Sequence, residues 1–142
     1  MSADVYRVVI PGSPGAAKVN TRTTPIVRGK HARVILSEPY RAWRDVAVGL
    51  MREAVPAGRS LPWADGMLEV KVLAFWPKSH RTGPAAGAPL GDVDAVAKAC
   101  MDALGHAGIL DDDAQVMRLI CVKSHDKAAP RIEIRLRAFE VG

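Results

Sequence analysis

The segment Met67–Trp76 constrains the fold of this chain more than any other. Leu68, Val70, Val72, Ala74 and Trp76 alternate with Met67, Glu69, Lys71, Leu73 and Phe75, and both sets are mostly apolar. That pattern predicts a central strand covered on both faces, because a strand with one wet face alternates cleanly between apolar and polar. Pro77 ends the strand, and the chain must then return from a buried position in a sheet. The next apolar period comes from about Asp94 to Ala107, where Val96, Cys100, Ala103, Leu104 and Ala107 recur at helical spacing and Gly108 is placed to stop the helix. A strand from about Gln115 to Lys123 follows, and it is expected to run beside the one ending at Trp76.

The remaining elements fit around that unit. Val5–Ile10 is rich in β-formers and ends at Pro11-Gly12, after which a basic, Gly- and Pro-punctuated stretch to about Lys30 reads as a long loop. Ser37-Glu38-Pro39 predicts a helix start with Ser37 as N-cap, and Tyr40, Trp43, Ala47, Leu50, Met51 and Ala54 then mark a buried helical face. Arg131–Arg137 alternates strictly with Ile132, Ile134 and Leu136 inward, and a turn at 125–130 predicts a hairpin with the preceding strand. The expected fold is α+β: a mixed β-sheet with two packed helices, in the order β-α-β-α-β-β. A single domain over residues 1–142 is expected, with residues 77–91 as a mobile basic loop.

Charge is distributed unevenly over this framework. Between Asp92 and Val116 lie six of the fifteen carboxylates and one lysine, Lys98, a net −5 that leaves +10 for the rest of a chain whose total is +5. Residues 1–44 alone carry eight Lys and Arg against Asp4 and Glu38. An acidic knot in a basic protein suits a metal-dependent enzyme acting on a polyanion, since carboxylates collect divalent cations while Lys and Arg hold phosphates. Cys100 and Cys121 lie among apolar residues with no metal or redox spacing, as core thiols in a reducing cytoplasm would. No apolar run is long enough for a membrane span and no basic leader precedes one, so a soluble, cytoplasmic protein is expected.

Within the knot each residue has a plain and a chemical reading. Asp92 and Asp94 share a side if the chain enters the helix extended, and Asp94 is also a natural N-cap. Lys98 lies one turn beyond Asp94, as a simple ion-pair partner or as a contact to a scissile phosphate. Asp111, Asp112 and Asp113 form either a solvated turn or part of a cation site, and the returning helix is expected to bring that turn near Asp92 and Asp94. His31, His80, His106 and His125 are scattered without ligand spacing, and Ser124-His125-Asp126 reads as a turn rather than a triad.

The combination Asp92-Val93-Asp94, Lys98, Asp102-Ala103-Leu104, Gly108 and Asp112-Asp113-Ala114-Gln115-Val116 resembles the RusA-type Holliday junction resolvases of bacteria and phages. More loosely, PGSPGAAKVNTR and SEPYRAWRD are similar to that family's basic N-terminal segment and first helix start. The resemblance implies Asp92, Asp94 and Asp113 as catalytic metal ligands, Asp112 in support, and Lys98 as a catalytic cation. It also implies Mg²⁺, with Mn²⁺ as a substitute, and a homodimer that nicks opposed strands of a four-way DNA junction in recombination and repair. Candidate DNA-binding cations are Lys18, Arg22, Arg28, Lys30 and Arg33, with Lys78 and Arg81 in the loop. Two departures stand out: Ala95 where the family usually has Asn, and Gly91 where a basic residue commonly precedes the first Asp. They support, as an alternative, a non-catalytic junction-binding module of the same fold. A small metal-binding structural protein is the third reading.

Overall fold

The alternation of Ile132, Ile134 and Leu136 seeds the core, because all three are fully buried and each has a buried partner on either side. A computed structural model describes residues 6–17, 23–28, 31–36, 38–58, 66–77 and 91–140. Its main sheet has the order β1 (Tyr6–Pro11), β6 (Arg131–Ala138), β4 (Leu68–Trp76), β5 (Val116–His125). β6 is antiparallel to both β1 and β4, and β4 is parallel to β5. Register aligns Tyr6, Leu136 and Val70, then Val8, Ile134 and Val72, then Ile10, Ile132 and Ala74, giving one continuous apolar face.

Both helices cover that face. α1 (Glu38–Glu53) buries Tyr40, Trp43, Ala47, Val48 and Met51, and the Tyr6 hydroxyl donates to the Met51 carbonyl at 2.7 Å. α2 (Val93–His106) buries Val96, Ala97, Ala99, Cys100, Ala103 and Leu104. Gly108 ends α2 with a φ of 78°, and the N–H groups of Gly108 and Ile109 close on the carbonyls of Gly105 and Leu104. Only glycine takes that conformation freely, so the helix stops and Ile109 and Leu110 fold back into the core. Arg52 of α1 donates to the carbonyls of His106 and Ala107, which binds the C-terminal end of α2 to the end of α1. Cys100 and Cys121 are free thiols; burial pushes Cys121 up to about 11 and Cys100 up as well, so neither supplies a thiolate at neutral pH.

The α+β fold, its mixed sheet and its element order match expectation, and three details differ. First, β2 (Thr23–Arg28) and β3 (His31–Leu36) form an antiparallel hairpin inside the stretch expected to be a loop. Second, β5 and β6 are not a hairpin. They flank β4, and the connection crosses over its end, where the Asp126 N–H donates to the Trp76 carbonyl at 3.0 Å. A parallel β4–α2–β5 unit fills that side of β4, so β6 takes the other side. Third, β4 is central but not covered by helices on both faces among the described residues: Lys71, Leu73 and Phe75 are only partly buried on its second face.

Candidate active site

A parallel β-α-β crossover fixes where the two ends of the acidic segment go. α2 must start where β4 finishes and finish where β5 starts. At its first end, Gly91 packs so closely on Trp76 that an added Cβ would sit 1.9 Å from the indole ring, which accounts for glycine at this position. The Lys123 ammonium donates to the Gly91 carbonyl at 3.0 Å and holds the entry to the helix. Asp92 follows as the N-cap residue in extended conformation, yet its carboxylate makes no capping hydrogen bond. Asp94 is already in the first helical turn, where its carboxylate accepts from the Ala95 N–H at 3.0 Å. Thus Asp92, not Asp94, occupies the cap position, and the extended-chain reason for a shared side does not apply. Both aspartates are exposed at the positive end of the helix dipole, which favours carboxylate there. Lys98, one turn on, is 3.6 Å from Asp102 rather than paired with Asp94, and just over half of it is exposed.

The triple-Asp turn is built differently. Asp112 caps a 3₁₀ turn over Asp113–Gln115: its carboxylate accepts from the Ala114 N–H at 2.8 Å, while the Gln115 side-chain oxygen accepts from the N–H groups of Asp111 and Asp112. The Gln115 amide donates to the Gly66 carbonyl, which ties the turn to the segment entering β4. Asp113 is exposed at the first position of this turn.

These two groups are not brought together within one chain. The fourteen residues of α2 separate them, about 20 Å at the rise of an α-helix. The register agrees, with Val116 beside Leu68 at the start of β4 and Lys123 beside Ala74 near its end. Among the described residues no group of three or more His, Cys, Asp and Glu side chains could hold a metal ion. A three-carboxylate metal site of Asp92, Asp94 and Asp113 therefore does not fit inside a single copy. Parallel pairing of β4 and β5 itself dictates this, since the returning helix leads back to the beginning of β4.

Of the basic candidates, Lys18, Arg22, Lys30, Lys78 and Arg81 lie outside the described residues, as do Ser37 and nearly all of the loop 77–91. Arg28 and Arg33 lie on β2 and β3, where Arg28 pairs with His31 and Arg33 with Ile26. Sequence reading missed Lys123. Its signal was its parity: two residues beyond Cys121, it occupies a helix-facing position of β5 where an apolar residue is expected.

A mixed sheet with both helices on one face and an exposed aspartate pair at a helix N-terminus defines a small α+β domain. The family description Endodeoxyribonuclease RusA matches residues 11–137, and the chain belongs to the RusA endodeoxyribonuclease family. No curated protein matches it. Among the described residues no helix is long and apolar enough to cross a membrane.

Proposed function

We propose that the protein is a Mg²⁺-dependent endodeoxyribonuclease that resolves four-way DNA junctions as a homodimer, in recombination and repair. The observation that carries this reading is the exposed pair Asp92 and Asp94, with Lys98 one turn on, in a chain matched to endodeoxyribonucleases over residues 11–137. The separation of Asp113 from that pair gives the dimer a chemical purpose. β5 is an edge strand among the described residues and carries the exposed Met117, Leu119 and Val122. Unpaired apolar edges favour pairing with another chain. Antiparallel pairing of two β5 strands about a two-fold axis sets the Val116 end of one beside the His125 end of the other. Asp113 of one copy then approaches the Gly91–Asp92 entry of the second, and symmetry makes two such sites.

In that arrangement Asp92 and Asp94 of one copy and Asp113 of the other would hold the ion, with Asp112 keeping Asp113 in place through the capping box. The chemistry Mg²⁺ supplies when bound is charge neutralisation at the phosphate and activation of a water nucleophile, so no histidine base is needed. Lys98 lies on the same helix face as Asp94 and contacts the phosphate undergoing cleavage. Lys123 supplies a fixed cation beside position 91, where the family's usual basic residue is absent.

The test is cleavage of a synthetic four-way junction in Mg²⁺ or Mn²⁺, with Asp94→Asn as control. Paired nicks in opposed strands, absent in the control, are expected. Equal cutting of plain duplex would reject junction selectivity, and junction binding without cutting in either metal would favour the non-catalytic module.

A further inference from the structure

The face of the sheet turned away from α1 and α2 carries six cations over two carboxylates. Register places Arg137, Glu69 and Arg118 in one row, Arg7, Arg135 and Lys71 in the next, then Glu133, then Arg131 beside Phe75. Glu69 and Glu133 are only 4% and 6% exposed because arginines lie over them. Glu69 is held by Arg118 at 3.0 Å and by Arg137, and Glu133 by Arg131 at 2.8 Å, Arg7 at 3.2 Å and Arg135 at 3.6 Å. Arg131 is held further by Asp126 at 2.7 Å and by stacking on Phe75, 4.0 Å from the ring centre.

Two cations are engaged least by this network. Lys71 has no carboxylate within ion-pair reach among the described residues. Arg135 makes only the longest of the Glu133 contacts, and its buried Nε has no hydrogen-bond partner. Both line a cleft of about 200 Å³ with Arg137, Glu69 and Ile120. A network serving the fold alone would match its charges; with Asp126 counted, this one leaves an excess of three positive charges on a face that no described element covers, with guanidinium planes already oriented by the carboxylates beneath. Oriented guanidinium groups suit phosphate oxygens, and fixing them beforehand removes much of the ordering cost of binding.

We propose that this face is a second DNA contact, separate from the acidic ends of α2, at which Lys71 and Arg135 hold phosphates of a duplex arm. The proposal rests on the nuclease reading. Phosphate contacts release counterions, so each one lost lowers the salt dependence of binding by about one unit of slope. The experiment measures binding of plain duplex and of a four-way junction in EDTA over a range of salt, for the parent chain, Lys71→Ala/Arg135→Ala, and the charge-matched Arg41→Ala/Lys127→Ala, with thermal unfolding alongside. The face variant is expected to lose about two units of slope and about tenfold or more in affinity on both substrates, and the matched variant to keep both. Unchanged slope in a folded face variant, or an equal loss in the matched one, would overturn the proposal while leaving the nuclease reading intact. A parent chain that binds no DNA would overturn both. Lys71→Gln, which leaves the Arg135–Glu133 contact untouched, repeats the test at about one unit of slope if the double variant does not fold.

Discussion

The carboxylates at the two ends of α2 and those under the open face of the sheet have the same chemistry and opposite commitments. Glu69 and Glu133 are buried and clasped by arginines, whereas Asp92, Asp94 and Asp113 are exposed and hold little of the fold in place. A buried carboxylate needs its partners to exist in the fold at all. An exposed aspartate at a helix start needs no ion pair to be tolerated there, since water and the helix dipole both favour its charge. Asp112 stands between the two cases, exposed yet used as a cap.

The contrast is broken most severely at Asp94. Asp94→Asn should lower junction cleavage by about 10²-fold or more, in the range seen when one electrostatic contributor to a transition state is removed, with the melting temperature unchanged. A large loss of stability would show that Asp94 serves the fold after all. Glu133→Gln should do the reverse, costing about 2 kcal/mol of stability through weakened charged hydrogen bonds, read by denaturant unfolding. Its pH dependence sharpens the point. The Arg137 hydrogen bond holds Glu69 below the usual glutamate range; burial raises Glu133, but Arg131 and Arg7 outweigh that and hold it low too. Their contribution is therefore complete above the ordinary glutamate value of about 4.3 and is lost as pH falls below it toward the depressed native values. Glu133→Gln should flatten part of that acid decline.

Smaller effects probe the supports on each side. Lys123→Met removes the ammonium at Gly91 and should reduce cleavage about tenfold at nearly unchanged stability, measured as turnover at saturating Mg²⁺. Asp112→Ala removes a cap and should cost about 1 kcal/mol in unfolding free energy, with a loss of cleavage smaller than that of Asp113→Asn.

The sheet-forming pattern was legible where burial enforces it. Ile132, Ile134 and Leu136, the buried face of α2 and the stop at Gly108 follow from periodicity and from glycine's backbone freedom. The β2–β3 hairpin was hidden because Pro25 and the surrounding cations mask the β-branched residues Thr23, Thr24, Ile26 and Val27, and no apolar alternation marks a core face. The connection from His125 to Arg131 misled for a geometric reason. Its five residues can reach a neighbouring strand or one beyond it, about 10 Å away, and loop length does not distinguish the two. The carboxylates themselves were legible as a motif, but their meeting place was not. A motif gives spacing along the chain, while α2 turns that spacing into opposite ends of one copy.

The proposed shared site requires Asp94 and Asp113 to act together from different copies, and mixing two inactive variants tests this directly. Asp94→Asn and Asp113→Asn, each inactive alone, should regain junction nicking when co-expressed or exchanged as dimers, because one of the two sites in the mixed dimer then has every aspartate intact. Persistent inactivity of a verified mixed dimer would contradict the shared site.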